Sequence, residues 1–407
     1  MRIKDIPCRL EQLQHGGILR TVHDLKMRTA VCGEDHDGGS YIVLASNDYL
    51  GLSHHPDVQE AECRAASSGS GSGGSRLTSG ASFELHDLET EIAGFTGQQE
   101  ALVFNTGYMA NTGVLSGLAG EGDVIFSDAL NHASIVDGCR FSRAQTVIYP
   151  HCDMERLEQL LIHVPCRGQR FLVTDGVFSM DGDIAPLPEL IILKTRYHAC
   201  LIVDDAHATG VIGEGGRGSL SHYHLEDGVD VHIGTLSKAL GAQGGYAASE
   251  YPVIEYLKNS SRPFIFSTAL PPGTASAALC SLQILESRGD FYMDTLRRNT
   301  RYMRKRLTEA GLPLIAGETP ILPILTGNPE MSVQYAEQCR KQGIWVSAIR
   351  PPSVPAGASR IRITVTAVHT VQQLERAADV LIQCWREMGE SVQNPRIDLY
   401  GIDDRMR

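Results

Sequence analysis

Apolar and polar positions alternate regularly along the middle of the chain. Between residues 98 and 250, apolar runs of strand length occur at ALVF, DVIFSD, TVIYP, RFLVTDG, CLIVDD and DVHIGT. Most of these runs end in small or acidic residues, and helix-length stretches separate one run from the next. Strands that alternate with helices favour crossover connections and a mostly parallel sheet that is covered on both faces. This part of the chain therefore predicts an α/β domain.

Helical periodicity is clear outside these runs. One predicted helix ends at Gly97 and carries four apolar side chains on one face, Leu85, Leu88, Ile92 and Phe95. A shorter helix is predicted at about 10–19. Near the other end of the chain, Thr370 and Gln373 form a capping box that predicts the start of the last helix.

The pattern changes beyond about residue 285. A helix rich in Arg and Lys at about 290–310 is followed by PILPIL, a helix at 330–343 and the strand-like run IWVSAI. In RIRITVTA the apolar residues alternate strictly with polar ones, so Arg360 and Arg362 lie on one face of a strand. These elements predict a small α+β domain.

The patterns together predict four parts along the chain. They are an N-terminal segment (1–45), a large domain (46–285), a small C-terminal domain (286–388) and a polar tail (389–407).

Composition narrows the class of partner. The chain has 407 residues and a net charge of −12, so we expect no nucleic-acid or membrane-surface partner, because both favour a basic face. Its ten cysteines include no C-x-x-C pair, which favours reduced thiols in a cytoplasmic protein and predicts no metal site. The N-terminus lacks a signal-like apolar run, and no apolar stretch reaches the roughly 18 residues that a membrane helix needs.

Two glycine patterns match the dinucleotide-binding motif G-x-G-x-x-G. They lie in SSGSGSGGSRLTSG at 67–80 and in GEGGRG at 213–218. The motif has meaning only where a buried strand precedes it and a helix opens directly after it. A half-polar helical stretch precedes the first pattern, and no helix is predicted directly after the second. A nicotinamide-dependent dehydrogenase is therefore disfavoured, and 67–80 is interpreted as a linker or as a loop close to a ligand.

Candidate catalytic residues follow the predicted strands, where doubly wound sheets bind their ligands. The positions just after the apolar runs hold Gly107, Tyr108, Asp128, His132, Asp175, Ser179, Asp204, His207, Thr235 and Lys238. Lys238 lies in GTLSKALG among small and apolar residues. Burial there lowers the basicity of an amine, and the free amine attacks carbonyl groups to form Schiff bases.

Pyridoxal phosphate (PLP) is a carbonyl cofactor whose other needs these residues meet. Asp204 offers a carboxylate for the pyridine nitrogen. Thr235, Ser179 and the amides of Gly107 and Tyr108, at a predicted helix start, are candidates for the phosphate. Each residue alone also has an ordinary interpretation, as a surface lysine, a turn-forming aspartate or a packed histidine. The joint pattern of VDDAHATG and GTLSKALG favours the cofactor site.

Nine segments of the chain match motifs of one enzyme family. They are SNDYLGLSHHP, GSGSGGSRLTSG, FNTGYMANTG, DALNHASI, TDGVFSMDGDIAPL, VDDAHATGVIGEGGRGS, GTLSKALG, FIFSTALPP and AIRPPSVPAG. On these segments the chain resembles the α-oxoamine synthases, which are fold-type I PLP-dependent enzymes, over nearly its full length. The resemblance implies an aspartate aminotransferase-like large domain with a mostly parallel central sheet, a smaller α+β C-terminal domain, and a homodimer with a shared active site.

The resemblance also implies roles for individual residues. Lys238 would bind PLP covalently, Asp204 would pair with the pyridine nitrogen, and His207 would contact the ring hydroxyl. His132 would stack on the ring and polarise the acyl carbonyl. Further implied cofactor contacts are Gly107, Tyr108, Ser179, Thr235 and, toward the neighbouring subunit's phosphate, Ser267 or Thr268. Implied substrate contacts are Arg20, Asn47, Ser353 and Arg362, the last of these for the amino acid carboxylate.

The implied reaction is a decarboxylative condensation of an amino acid with an acyl thioester. Within the family, the resemblance at AIRPPSVPAGASRIRIT implies L-alanine and a pimeloyl thioester as substrates, the latter carried on coenzyme A or a carrier protein, as in biotin synthesis. Family members that use other amino acids share the lysine machinery: glycine C-acetyltransferase (2-amino-3-oxobutyrate CoA ligase), 5-aminolevulinate synthase and soluble serine palmitoyltransferase. A PLP-binding scaffold is the non-enzyme alternative. The basic run 297–306, with Arg301 and Arg304, is either a docking surface for the acyl carrier or a solvated helix face.

Overall fold

The computed structural model describes residues 2–389. Its strands are β1 (Lys26–Thr29), β2 (Cys32–Glu34), β3 (Ser40–Val43), β4 (Glu100–Phe104), β5 (Val124–Asp128), β6 (Gln145–Tyr149), β7 (Arg170–Asp175), β8 (Ala199–Asp204), β9 (Val231–Thr235), β10 (Gly245–Ser249), β11 (Ile321–Gly327), β12 (Ile344–Trp345), β13 (Ser347–Ile349) and β14 (Ser359–Thr364). Its α-helices are α1 (Ile6–His15), α2 (Pro56–Ala65), α3 (Phe83–Thr96), α4 (Gly107–Leu118), α5 (Ala133–Ser142), α6 (Met154–His163), α7 (Leu187–Tyr197), α8 (Ser219–His222), α9 (Tyr251–Ser260), α10 (Arg262–Phe266), α11 (Pro272–Glu309), α12 (Pro329–Lys341) and α13 (Val371–Gly389).

The contacts divide the described chain into two compact units. The larger unit comprises residues 48–179 and 183–294. The smaller unit comprises the residues up to Asn47, residues 180–182 and the residues from Thr295 onward. The N-terminal residues thus belong to the same unit as the C-terminal part of the chain.

The larger unit is built on a seven-stranded sheet with the order β4-β10-β9-β8-β7-β5-β6. The five strands from β9 to β6 are parallel, and β10 pairs antiparallel with both β9 and β4. The central strands are buried, apart from the partly buried Cys200 in β8, as their apolar runs require when helices cover both faces. The predicted α/β fold with a mostly parallel central sheet is confirmed.

Helix α3 shows how local sequence sets an element of this unit. Its predicted apolar face is buried, and Gly97 ends the helix with a φ of +70°, which glycine adopts without steric cost. The Ser82 side chain accepts a hydrogen bond from the Leu85 amide and caps the other end.

The smaller unit contains two sheets. One has four strands in the order β1-β2-β3-β12, and the other has three in the order β11-β14-β13. A single apolar cluster around Leu44, Leu322, Ile361, Leu374 and Leu381 forms its core. The predicted capping box is present at α13: the Thr370 amide donates to Gln373 Oε1 at 2.9 Å, and the Gln373 amide donates to Thr370 Oγ1 at 3.2 Å.

Three elements differ from the prediction. The first helix occupies 6–15 rather than about 10–19, because Pro7 favours the first turn and the chain leaves the helix at Gly16. The run IWVSAI forms two short strands, β12 and β13, in different sheets. The basic helix at 290–310 is the end of the 38-residue helix α11.

The glycine-rich segment 67–80 is a hydrogen-bonded loop rather than a linker. Ser75 and Thr268 form an isolated antiparallel bridge, and the Ala269 amide donates to the Gly74 carbonyl at 2.9 Å. Helix α2 precedes the loop, as predicted, so the context of a dinucleotide motif is absent. At the second pattern, the four-residue helix α8 does begin directly after Gly218, but a preceding buried strand is lacking.

Within residues 2–389, none of the helices has the length and apolar character needed to cross a bilayer.

Candidate active site

Four strands of the larger unit end in polar residues at one edge of the sheet. The last residues of β5, β7, β8 and β9 are Asp128, Asp175, Asp204 and Thr235. These strands are parallel neighbours, and Asp175 lies opposite Asp204 in the register. Because the carboxyl ends of parallel strands meet at one edge, the candidate residues that follow them are brought together.

Lys238 lies in the turn after β9. The side chains around it in sequence, Leu236, Ala239 and Leu240, are buried and fix the turn, whereas Lys238 itself is half-buried. Its charge acts on two neighbouring groups: it lowers the pKa of His132 and it opposes the rise in the pKa of Asp175. The amine thus lies within electrostatic reach of both.

Asp204 is buried and well hydrogen-bonded. Its Oδ1 accepts the Ala206 amide at 2.9 Å, and its Oδ2 accepts Asn111 Nδ2 at 2.6 Å. Asn111 Nδ2 also donates to Ser134 Oγ at 2.9 Å, so helix α4 links the carboxylate to the start of helix α5.

Asp175 is a second buried carboxyl group beside Asp204. Its burial, and then the negative charge of Asp204, raise the pKa of Asp175 well above its usual range. Its Oδ2 accepts the His132 amide at 2.9 Å. Asp175 therefore fixes the backbone of the histidine rather than its ring.

His132 is the N-cap of α5, and its ring nitrogen Nδ1 is an acceptor. The Ser134 amide donates to Nδ1 at 3.3 Å, and Ser134 Oγ lies 2.7 Å from the same nitrogen. Partial burial lowers the pKa of His132, the positive charge of Lys238 adds to this, and Asp204 opposes it. The residue nonetheless has an exposed face. Because Nδ1 accepts the Ser134 amide, the neutral ring carries its proton on Nε2.

His207 follows β8 and is buried. Its Nδ1 is 2.7 Å from Tyr49 Oη, and the two rings meet edge to face with centroids 6.1 Å apart. Tyr49 is fully buried. The pair fixes the orientation of the imidazole.

The start of helix α4 forms a narrow cradle beside β9. Thr106 caps the helix by accepting the Met109 amide at 3.0 Å, while the amides of Gly107 and Tyr108 lie in the first turn, where a helix provides no acceptor. A Cβ on Gly107 would lie 3.3 Å from Thr235 Oγ1. A Cβ on Gly245 would come within 2.6 Å of the Gly107 nitrogen, so glycine is needed there for the approach of β10.

The other cofactor candidates lie on loops of the same unit. Ser179 is half-buried in the loop after β7. Ser267 ends α10, and the exposed Thr268 is held by its bridge to Ser75 and by Asn105 Nδ2, which donates to the Thr268 carbonyl at 2.6 Å. The Tyr108 hydroxyl donates to Asp137, so its amide is the group that remains a candidate for the cofactor.

The substrate candidates lie in the smaller unit and form two pairs. Arg362 on β14 donates to Asn47 Oδ1 at 2.8 Å. Arg20 donates to Ser353 Oγ at 3.4 Å, and both residues are exposed. Each of the four substrate candidates thus contacts one other candidate.

The basic run 297–306 is not uniform. Arg301 is exposed, but Arg304 donates to the Ile315 carbonyl at 2.8 Å, and burial lowers its pKa. Arg304 therefore also supports the fold, while the docking role of the run stays a prediction.

Sequence reasoning did not assign roles to the residues that orient the histidines. Tyr49, Asn111 and Ser134 lie within quoted motifs, yet their contacts span 158, 93 and 23 residues along the chain. A tyrosine two residues after the predicted Asn47 was the available signal for the first of them.

Comparison with known proteins places the chain in an enzyme class. Residues 40–381 match the family model described as aminotransferase class I and II, and the chain belongs to this family. A serine palmitoyltransferase from S. paucimobilis, solved with a bound PLP-myriocin aldimine, superimposes with a TM-score of 0.89 at 31% identity, covering 95% of this chain and 98% of that chain.

Other relatives define the group more narrowly. The 8-amino-7-oxononanoate synthase of Citrifermentans bemidjiense is 46% identical over 382 residues, which cover 93% of this chain and 98% of that protein. A crystal structure of 8-amino-7-oxononanoate synthase from Francisella tularensis has a TM-score of 0.73 at 29% identity, covering 86% of this chain and 99% of that chain. Within its class, the chain is a member of the 8-amino-7-oxononanoate synthase family.

Proposed function

We propose that the protein catalyses the PLP-dependent condensation of L-alanine with a pimeloyl thioester. The products are 8-amino-7-oxononanoate, CO2 and the free thiol, as biotin synthesis requires. The observation that carries the proposal is the grouping of Lys238, Asp204, His132 and His207 at one edge of the sheet.

The residues at this edge fit PLP. The donor set contains an amine for the aldehyde, a buried carboxylate for the pyridine nitrogen, and first-turn amides with a hydroxyl for the phosphate. The missing Cβ of Gly107 leaves the space beside Thr235 that an anion at this helix start would need. Lys238 Nζ would hold the cofactor covalently, while Asp204, His207, Ser179, Thr235, Gly107 and Tyr108 would position it.

Bound PLP supplies an electron-withdrawing ring that stabilises negative charge at the amino acid Cα. Lys238 Nζ would also serve as the general base that accepts the Cα proton of the amino acid. The Asp204 carboxylate, held by hydrogen bonds from Asn111 and from the Ala206 amide, would pair with the pyridine nitrogen.

His132 acts on the second substrate. Its Nδ1 accepts hydrogen bonds from Ser134, so its Nε2–H can donate to the thioester carbonyl oxygen and polarise it. Arg362, fixed by Asn47, offers a fork of N–H donors to the alanine carboxylate. Arg20 and Ser353 are the candidates for contacts with the acyl chain.

The substrates are tested by a condensation assay. L-alanine, glycine and L-serine are each combined with pimeloyl-CoA and with pimeloyl carrier protein, and CO2 and free thiol are measured. The proposal requires turnover with L-alanine and a pimeloyl thioester above all other pairs. Preference for glycine or L-serine would contradict it in favour of another α-oxoamine synthase, and the absence of turnover with every pair would favour a PLP-binding scaffold.

We also infer a homodimer in which Ser267 or Thr268 reaches the phosphate of the neighbouring subunit. Leu77 and Phe266, each two residues from the Ser75–Thr268 bridge, are 58% and 69% exposed. Large apolar side chains beside an anchored loop favour coverage by a partner. The ten cysteines, all without disulfides, support a reducing, cytoplasmic setting.

A further inference from the structure

A buried histidine outside the proposed catalytic set joins two loops of the larger unit. His151 follows β6, and its side chain is 6% exposed. Its Nδ1 is 2.9 Å from Asp128 Oδ1, and its Nε2 is 2.8 Å from Asp183 Oδ2. Both ring nitrogens face carboxylate oxygens, so both carry protons and the ring is an imidazolium ion.

Asp128 connects this cation to the loop that carries His132. Asp128 ends β5, and its Oδ1 also accepts the Leu130 amide at 2.8 Å. Its Oδ2 accepts the Cys152 amide at 2.8 Å, and its carbonyl accepts the Asn131 amide at 3.2 Å. The turn that leads into His132 is therefore built on the Asp128 carboxylate.

Asp183 connects the cation to the loop that carries Ser179. The Phe178 amide donates to the Asp183 carbonyl at 3.0 Å, and Val177 bridges to Ile184. The Phe178 ring packs edge-on against the imidazole with centroids 4.4 Å apart. Asp183 thus closes the base of this loop, and Ser179 lies just beyond the closure.

We propose that His151 is a positioning residue that holds the His132 and Ser179 loops in the arrangement that receives PLP. The inference rests on the proposed function, since it assumes that these loops contact the cofactor. The charged groups facing the ring are Asp128 from the end of β5 and Asp183 from the loop after β7, with the Cys152 thiol alongside. Their hydrogen bonds raise the pKa of His151 to about 12 despite its burial, so the cation persists across the working pH range.

The same group resembles a metal site in composition, because Asp128, His151 and Cys152 place potential ligand atoms close together. Its geometry argues against a metal. Cys152 Sγ is 3.7 Å from both ring nitrogens, which is equidistant and out of line with either lone pair. A metal ion would also have to displace the proton from a ring nitrogen of His151, where that proton is hydrogen-bonded to a carboxylate.

The test compares PLP binding by the wild-type protein with that of three variants. His151→Gln removes the charge, and Asp183→Asn releases the Ser179 loop at a residue whose side chain is 31% exposed. His163→Gln is the control, because His163 is an exposed histidine in the same unit. PLP affinity, the visible circular dichroism of bound PLP and thermal unfolding are measured for each.

We expect His151→Gln and Asp183→Asn to weaken PLP binding on the order of tenfold, the size seen for outer hydrogen-bond partners at metal sites. The visible dichroism should fall while unfolding stays cooperative, and His163→Gln should match wild type. Wild-type affinity and dichroism in both variants would overturn the inference. If His151→Gln does not fold, Asp183→Asn decides. A stoichiometric metal that wild type retains and His151→Gln loses would also overturn it, whereas a wild-type protein that binds no PLP would overturn the proposed function first.

Discussion

The hydrogen bonds around His132 determine what this residue can do. An imidazole polarises a carbonyl only by donating, and His132 has one nitrogen committed to Ser134 as an acceptor. The chain Asp204–Asn111–Ser134–His132 then links the carboxylate proposed for the pyridine nitrogen to the ring proposed for the thioester. A lowered pKa keeps the ring neutral at pH 7.

Replacing Ser134 by alanine should make the Nε2–H tautomer of His132 less favoured while the histidine itself is kept. The variant loses the hydrogen bond between Ser134 Oγ and His132 Nδ1, which is worth about 1 kcal/mol, so kcat should fall roughly fivefold. It also loses the hydrogen bond that Asn111 donates to Ser134, but Asn111 keeps its bond to Asp204, so PLP affinity should change little. Steady-state kinetics measure the change in kcat, and a PLP titration measures the affinity for PLP. Ser142→Ala is the matched control, because Ser142 is a buried serine of the same helix that bonds only to its own turn. Equal kcat values for Ser134→Ala and wild type would argue against the arrangement.

His369 gives a prediction for stability in acid. It is buried, and burial lowers the pKa of His369 to about 4. An unfolded histidine titrates near 6.5, so the neutral ring contributes fully above that pH and its contribution is lost as the pH falls toward 4. Wild type should lose about 2 kcal/mol of unfolding free energy from this residue at pH 5.

His369→Asn keeps an acceptor for the Thr366 amide but does not titrate. Urea unfolding at pH 7 and pH 5 should therefore show a smaller loss in this variant than in wild type. If the free energy of unfolding depended on pH identically in both proteins, His369 would not be the source of the stability lost in acid.

At the residue scale, the sequence could locate the groups that follow strand ends but not those that orient them. Lys238, Asp204 and both histidines stand where an α/β sheet places its ligands. Asp175 could be placed at the edge but not assigned to the His132 amide, because that contact depends on the turn before α5. Tertiary packing brings Tyr49 and Asn111 to the site, and no local spacing reports it.

At the element scale, strand β14 carries two arginines on one face, and the two have different partners. Arg362 donates to Asn47, whereas Arg360 is paired with Asp181 and also donates to the Ala358 carbonyl at 3.0 Å. The Arg360 and Asp181 side chains are 3% and 10% exposed. Arg362 is the arginine proposed for the substrate carboxylate, whereas Arg360 supports the unit.

Asp181→Asn should destabilise the smaller unit, because it leaves the Arg360 cation buried without its partner. The expected loss is about 3 kcal/mol of unfolding free energy, and the double variant Asp181→Leu with Arg360→Met should recover most of it. Glu337→Gln, at the exposed pair with Arg340, should change stability by less than about 0.5 kcal/mol. Urea titrations measure all three, and a double variant less stable than Asp181→Asn would refute the explanation.

Element types were easier to predict than sheet membership. Six strands of the central sheet follow from apolar runs, but β10 was missed because GYAAS is made of small residues with weak strand preference. Its place is set by pairing with β4 and β9 on both sides. Likewise, periodicity in IWVSAI could not reveal that β12 joins β3 while β13 joins β14.

At the scale of the whole molecule, the proposed dimer makes a site from two chains. Lys238→Ala alone should be inactive, and Thr268→Ala alone should be weakened in PLP binding. A heterodimer of the two variants has one site with both native residues, so purified heterodimer should recover about half the activity of wild type. Activity after mixing is compared with that of each variant alone. No recovery in heterodimers of verified composition would contradict a shared site.

The central claim is that Lys238 Nζ binds the cofactor covalently. The most direct measurement is borohydride reduction of the PLP-loaded protein, followed by proteolysis and mass spectrometry of the peptide that contains Lys238. We expect this peptide to carry the reduced cofactor, and Lys258, a lysine of the same unit held by Glu100 and Glu255, to remain unmodified. An unmodified Lys238 peptide in protein shown to contain PLP would mean that Lys238 does not bind the cofactor.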